Sequence, residues 1–201
     1  MNLIQVQDKP KKGLIFVISG PSGSGKTTLA QKIFKELKSK HKFVKSVSFT
    51  TRPKRKGERQ GEDYVFISAE EFRKLLKAKK ILEHTRYLGY DYGTPHDFFK
   101  QALSKYSNII LCLDIRGALF VKKTYPHRAI TIFVMPPSLG IAKKRILSRS
   151  AQTQPGEINK RIQLANKELS HANQYDYCLI NDNLNRAVKE LVRIIQQILG
   201  Q

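Results

Sequence analysis

Residues 20–28 have the types and spacing that bind phosphate groups. Glycines allow backbone N–H groups to curve around an anion without interference from a Cβ atom. Lys26 would reach the β- and γ-phosphates of a nucleotide, and the Thr27 hydroxyl would coordinate Mg²⁺. The spacing matches the Walker A pattern. The predicted phosphate-binding residues are Gly20, Pro21, Ser22, Gly23, Ser24, Gly25, Lys26, Thr27 and Thr28.

The alternative for this segment is a glycine-rich turn that only links a strand to a helix. An apolar run at 13–19 precedes the segment, and a helical pattern through Leu29, Ile33 and Leu37 follows it. Because a phosphate loop requires this strand-loop-helix order, the context favours nucleotide binding. The loop alone does not identify the acceptor of a phosphoryl group.

Asp114 ends another apolar run, Ile109 to Asp114. A carboxylate at such a strand end can hold the water shell of the metal ion beside a phosphate loop. The alternative is that Asp114 caps the helix that follows. Both roles stay open at this point.

A longer pattern connects the remaining candidate residues. It begins as Ser46-Val-Ser-Phe-Thr-Thr-Arg52-Pro-Lys-Arg55-x-Gly57-Glu58-x-x-Gly61-x-Asp63-Tyr64-x-Phe66. It continues through Glu83, Gly89-x-x-Tyr92-Gly93-Thr94, Asp114-x-x-Gly117-Ala118, Pro136-Pro137-Ser138, Lys144-Arg145 and Asn181-Asp182. Together these residues resemble the signature of guanylate kinases over about residues 13–199. The resemblance implies an enzyme that phosphorylates GMP, and dGMP as well, with ATP and Mg²⁺.

The resemblance also assigns the acceptor site. The implied GMP-binding residues are Ser48, Arg52, Arg55, Tyr64, Glu83, Tyr92, Thr94 and Asp114. Two arginines three residues apart can hold a phosphate dianion with bidentate donors, and tyrosine hydroxyls can complete the cradle. A glutamate can accept from guanine N1–H and the exocyclic amino group together, whereas adenine lacks this pair of donors.

Each of these residues also has a purely structural interpretation. The two arginines would be surface charges, the two tyrosines core aromatics, and Glu83 a solubilising residue at a helix end. Thr94 would be the N-cap of a helix that has Pro95 in its first position.

Arginines and polar residues in the segment 143–161 indicate a mobile lid of the form helix, turn, helix. The predicted catalytic residues are Lys26, Asp114, Arg145, Arg149 and Arg161. The lysine and the three lid arginines would neutralise charge on the transferring group. The chain departs from the family pattern at the lid turn, Ser148-Arg149-Ser150, and at Cys112, where many relatives carry an acidic residue.

Alternating strand and helix patterns predict the elements that must position these residues. Apolar runs predict strands at 13–19, 44–50, 64–67, 109–114, 129–135 and 177–180. Helices are predicted after Ser68, which opens a capping box with Glu71, and from Leu184 to Gly200. The expected fold class is α/β, a P-loop NTPase-type parallel sheet with helices on both faces, a small inserted GMP-binding subdomain and a helical lid.

The domain organisation follows from these patterns. Residues 1–12 are predicted to be a loose tail, and 13–201 a single domain. Its core is expected at 13–40, 97–140 and 170–201, the GMP-binding insertion at about 41–96 and the lid at about 141–169. Cys112 and Cys178 are interpreted as buried reduced thiols of a cytoplasmic protein.

Composition limits the function classes. The chain has 201 residues, 40% of them hydrophobic, and a net charge of +21. No apolar run approaches the ~20 residues of a membrane span. The charge calls for anionic partners. The family resemblance implies that these are ATP and GMP. Two alternatives stay open: a non-catalytic guanylate-kinase-like module that binds phosphopeptides, and a nucleic-acid-binding P-loop protein. No specific nucleic acid is expected, and protein partners cannot be predicted.

Overall fold

The computed structural model describes residues 13–39, 42–148 and 155–200. Its strands are β1 (Ile15–Ser19), β2 (Phe43–Lys45), β3 (Phe49–Thr50), β4 (Val65–Phe66), β5 (Ile81–Tyr87), β6 (Tyr90–Pro95), β7 (Asn108–Cys112), β8 (Ala129–Met135) and β9 (Tyr177–Ile180). Its helices are α1 (Lys26–Leu37), α2 (Ala69–Lys77), α3 (His96–Ser104), α4 (Ile115–Thr124), α5 (Leu139–Ser148), α6 (Pro155–Leu169) and α7 (Leu184–Leu199). The predicted tail and Arg149 lie outside the described residues.

The larger sheet has five strands in the order β2-β7-β1-β8-β9, and every neighbouring pair is parallel. Strand β1 lies at the centre and is buried along its whole length. Phe16 and Ile18 pack under α1 and α7 on one face, while Ile15 and Val17 pack under α3 and α4 on the other. This two-sided coverage explains why the strand is a continuous apolar run, and it confirms the predicted α/β fold class.

A smaller sheet of order β4-β3-β6-β5 lies within the segment predicted to be inserted. The single strand predicted at 44–50 is wrong, because its two halves belong to different sheets: β2 pairs with β7, and β3 pairs with β4 and β6. Residues 46–48 carry the chain from one sheet to the other. The hairpin β5–β6 turns through Leu88 and Gly89, both with positive φ. Leucine is unusual at such a position, so the residue types carry little signal for this turn. The boundaries of the three predicted parts stay predictions.

Several local predictions hold. Ser68 and Glu71 form the reciprocal capping box of α2, and Gly200 ends α7 in the left-handed conformation.

Helix α3 starts one residue later than predicted, with Pro95 as its N-cap, so Thr94 does not cap it. Cys178 is exposed rather than buried, because β9 is the edge strand of its sheet. Among the described residues, no helix is long and apolar enough to cross a bilayer.

Helix α7 stabilises the fold through one apolar face that packs against α1 and the sheet. Leu191 is fully buried in this face, whereas its neighbour Glu190 is exposed. We expect Leu191→Ala to lower the free energy of unfolding by about 2–5 kcal/mol, since it leaves a cavity in a packed core. Urea denaturation checks this. Glu190→Ala is the matched control and should change stability by no more than about 0.5 kcal/mol. Equal effects of the two substitutions would contradict the packing described for α7.

Candidate active site

A cleft of about 1280 Å³ opens between the carboxyl ends of the parallel strands and the smaller sheet. The predicted site residues that line it are Gly20, Ser22, Gly23, Gly25, Lys26, Thr27, Thr28, Ser48, Arg52, Arg55, Tyr64, Glu83, Tyr92, Asp114, Arg145 and Arg161. Pro21 and Ser24 are buried in the loop itself, and Thr94 is buried behind Glu83. Residues far apart in the sequence therefore meet around one cavity.

The phosphate loop connects the buried strand β1 to α1, and Gly25 is the N-cap of that helix with φ 85°. A Cβ atom at residue 25 would lie 2.4 Å from the amide nitrogen of Asn181, so only glycine fits there. The Asn181 amide donates to the carbonyl oxygen of Ser24 at 2.8 Å, and Arg145 donates to the carbonyl oxygens of Gly23 and Ser24 at 3.4 and 3.5 Å. These bonds hold the carbonyl groups on the outside of the loop. The start of α1 lines the cleft, and helix N-termini favour bound anions.

A carboxylate that the sequence analysis did not single out lies beside this loop. Glu168, in the last turn of α6, lines the cleft and accepts a hydrogen bond from the backbone N–H of Ser22. Burial raises the pKa of Glu168, although the charge of Lys26 and the Ser22 bond act in the opposite direction. The end of α6 is thereby connected to the phosphate loop.

Thr27, Cys112 and Asp114 lie together at the base of the cleft. The Thr27 hydroxyl is 3.8 Å from the Cys112 sulfur, and burial raises the pKa of that thiol. Asp114 is the N-cap of α4, and its Oδ1 accepts from the backbone N–H of Gly117 at 2.9 Å. The capping alternative is thus correct. It does not remove Asp114 from the cleft, which its side chain also lines.

The two arginines of the acceptor motif are organised by Glu58. Its carboxylate accepts from Arg52 Nη2 at 2.7 and 3.0 Å and from the backbone N–H of Arg55 at 2.8 Å. Arg52 is only 5% exposed, so its interpretation as a surface charge is wrong. Burial lowers the pKa of Arg52, but the bond to Glu58 and nearby tyrosines outweigh burial and raise it overall.

Positive charge is concentrated in this part of the cleft. Burial lowers the pKa of Arg55, and the neighbouring charges of Arg52 and Arg161 lower it further. The ring of Tyr64 lies 5.5 Å from the Arg52 guanidinium carbon and 5.9 Å from the ring of Tyr92. Like charges gathered in a partly buried pocket favour an anionic ligand that would offset their repulsion.

Glu83 lies on strand β5 rather than at a helix end, and it is 6% exposed. Its interpretation as a solubilising surface residue is therefore wrong. The Thr94 hydroxyl donates to Glu83 Oε1 at 2.8 Å. Burial raises the pKa of Glu83 to about 7, against the lowering effect of the Thr94 bond, and the nearby Asp114 raises it as well.

Helix α4 has a glycine, Gly117, where it lies against Glu83, and the missing side chain makes room for the carboxyl group. A Cβ atom at Gly117 would lie 2.9 Å from Oε2 of Glu83, closer than such atoms pack. Because Glu83 is buried and bonded to Thr94, it could not move aside without losing that bond. The glycine in the first turns of α4 therefore defines the position of this carboxylate.

Gln31, Glu58 and Glu168 are among the polar residues of the cleft that were not predicted from the sequence. Glu58 carried a signal, since it stands three residues after Arg55 inside the recognised motif. Gln31 and Glu168 carried none, because their partners Asp63 and Ser22 are distant in the sequence.

Most of the chain is similar to proteins of a known family. A family model described as "Guanylate kinase" matches residues 12–198. The chain is 41% identical over 186 residues to a guanylate kinase of Streptococcus thermophilus, covering 92% of this chain and 87% of the relative. It is 37% identical to a guanylate kinase of Wolbachia pipientis wMel, covering 92% and 90%. The crystal structure of guanylate kinase from Anaplasma phagocytophilum matches with a TM-score of 0.76 at 30% identity, covering 93% of this chain and 86% of that one.

The raised pKa of Glu83 has a measurable effect on stability. Its carboxyl is protonated in the folded protein up to about pH 7, whereas in the unfolded chain it ionises near 4.5. The contribution of Glu83 to the free energy of unfolding is therefore fully present below about pH 4.5. It is lost as the pH rises through about 7, and the free energy of unfolding falls by about 3 kcal/mol at most.

We expect the Glu83→Gln variant to lose this component of the pH dependence, because glutamine does not titrate. Urea denaturation of both proteins between pH 5 and 8 measures the difference. Glu70→Gln, a change at an exposed glutamate of α2, is the control. Parallel pH profiles for wild type and Glu83→Gln would contradict the buried state of this carboxyl.

Proposed function

The chain belongs to the guanylate kinase family, and from that premise we infer that it transfers the γ-phosphoryl group of ATP to GMP in the cleft described above. The observation that carries this inference is the pairing of two anion-binding arrangements in one cavity. A phosphate loop lies on one side, and an arginine cradle with a buried glutamate lies on the other. We extend the proposal to dGMP, since none of the contacts assigned below involves the ribose.

The donor side would hold the phosphates of ATP through backbone N–H groups of the loop and through Lys26. The described residues contain no cluster of three or more His, Cys, Asp or Glu side chains that could hold a metal by itself. This fits Mg²⁺, which commonly binds one or two protein groups together with substrate phosphates and water. Thr27 would coordinate the ion, and Asp114 would hold its water shell. When bound, Mg²⁺ neutralises charge on the phosphates.

The acceptor side would hold GMP at both of its ends. Arg52 and Arg55, with the hydroxyls of Tyr64 and Tyr92, would bind the phosphate. Glu83 would accept from two guanine donors, and the Ser48 hydroxyl would contact the base. The Thr94 hydroxyl is already donated to Glu83, so we assign it to orienting that carboxylate.

The acceptor oxygen of GMP already carries negative charge, so transfer needs no strong general base. Direct in-line transfer then depends on positioning and on charge neutralisation. Lys26 and Arg161 line the cleft where they can neutralise charge on the transferring group. Arg145 lines it too, but its observed bonds hold the loop in shape. Arg149, which was predicted to act with these residues, lies outside the described part of the chain.

The two alternatives are less well supported. A phosphopeptide-binding module would need the arginine cradle alone, whereas this chain keeps Gly25, Lys26 and Thr27 in a formed phosphate loop. A nucleic-acid-binding role is motivated by the net charge of +21, which the family does not explain. Steep salt dependence in a filter-binding titration would favour it.

Lys26→Met tests the donor side. The substitution removes a positive charge that would act on the transferring phosphoryl group, so we expect turnover to fall by ~10²-fold or more with the fold intact. A coupled ADP-release assay with ATP and GMP measures this, and circular dichroism checks the fold. Near-normal GMP phosphorylation by the variant would show that this loop is not the catalytic one.

Glu83→Gln tests whether Glu83 recognises the guanine base. An amide in place of one carboxylate oxygen removes an acceptor and the charge assistance, which costs about 1.5–3 kcal/mol, or roughly ten- to a hundredfold in kcat/KM for GMP. The kcat/KM for AMP should change much less, so the ratio of kcat/KM for GMP to kcat/KM for AMP should fall strongly. The same assay with GMP, dGMP, AMP, UMP and CMP measures selectivity. An unchanged ratio would mean that guanine is recognised by other residues.

A further inference from the structure

One side-chain hydrogen bond joins the donor side of the cleft to the acceptor side. Gln31 Nε2, on α1, donates to Oδ1 of Asp63, in the acceptor motif, at 2.6 Å. Both side chains are partly buried, and both line the cleft. The acceptor is a carboxylate, and hydrogen bonds to charged groups are stronger than those between neutral groups.

The donor end of this bond is fixed to the phosphate loop. Gln31 follows Thr27 by four residues on α1, so the two side chains lie on the same face of the helix. Leu29, Ala30 and Ile33 of the same helix are buried against the parallel sheet. Gln31 therefore keeps a constant position relative to Lys26 and the loop.

The acceptor end is fixed to the arginine cradle. Oδ2 of Asp63 accepts from the backbone N–H of Arg59 at 2.8 Å, which holds the carboxylate within its own loop. The next residue, Tyr64, packs its ring beside Arg52. Movement of Asp63 would consequently move the groups that face the acceptor phosphate.

A second contact joins the same two parts. Lys45 Nζ, on β2, donates to the backbone oxygen of Glu62 at 2.9 Å, but this bond is exposed to solvent. Exposed lysine contacts contribute little, because the long side chain loses entropy and water competes for the bond. Of the two contacts, the bond from Gln31 to Asp63 is the one shielded by the cleft.

We propose that Gln31 and Asp63 are positioning residues that set the acceptor cradle at the distance from the phosphate loop that transfer requires. The proposal rests on the function proposed above. Neither residue belongs to the phosphate loop or to the arginine cradle, so each ligand should bind without their bond. Transfer depends on the alignment of the two ligands, and a misplacement of about 1 Å can reduce a rate ~10²-fold.

Exchanging the two partners tests the bond itself. Gln31→Glu places two carboxylates against each other, and we expect kcat for GMP phosphorylation to fall ~10²-fold. Asp63→Asn should have a small effect, because the Gln31 amide can turn its oxygen toward the new NH₂ group. In the double variant Gln31→Glu/Asp63→Asn, Glu at 31 accepts from Asn at 63, so kcat should return to the level of Asp63→Asn alone.

The separation of kcat from KM distinguishes positioning from binding. We expect KM for ATP and for GMP to stay within about threefold of wild type in every variant. Glu62→Gln removes a charge at the neighbouring exposed position and is the matched control, with wild-type kcat expected. Wild-type kcat in Gln31→Glu, or a loss that persists in the double variant, would overturn the assignment. Failure of wild type to phosphorylate GMP would instead reject the proposed function.

Discussion

The shape of the phosphate loop depends on hydrogen bonds that its carbonyl groups accept from other segments of the chain. A peptide unit whose oxygen is bonded on one side presents its N–H group on the other. Asn181 and Arg145 provide these bonds, and they come from the end of β9 and from α5. Arg145 also bonds the carbonyl oxygen of Asn181, so the two residues support each other. Three separate segments must therefore assemble before the loop is preorganised for an anion.

On the acceptor side, the fold must stabilise positive charges that are partly buried. Buried guanidinium groups repel one another and lose hydration, so they need a fixed counter-charge. Glu58 supplies it by bonding both the Arg52 side chain and the Arg55 backbone, and this leaves further donors of the arginines for a ligand. Glu83 is a buried carboxyl that accepts from the Thr94 hydroxyl, and its burial raises the pKa to about 7.

The predictions that are correct concern elements whose sequence signals lie within one short segment. The run through β1, the loop and α1 has its signals within one continuous segment, as do the capping box at Ser68 and the apolar face of α7. The errors arose where tertiary structure decides. Residues 44–50 were predicted to be one strand because nothing in their own pattern assigns the two halves to different sheets. Likewise, Gln31 reads as an ordinary exposed helix residue until the fold brings Asp63 beside it.

Gly117 shows how a conformationally unfavourable residue can be retained for its lack of volume. Glycine inside a helix costs about 1 kcal/mol relative to alanine, so α4 would form more readily with alanine at this position. The added methyl group would press on Oε2 of Glu83, which is buried and bonded to Thr94, so the strain would offset the gain in helix propensity. Helix propensity and the packing of a buried carboxyl thus make opposite demands on one atom. A stabilising substitution chosen from helix propensity alone would disturb the hydrogen-bonded pair of Glu83 and Thr94.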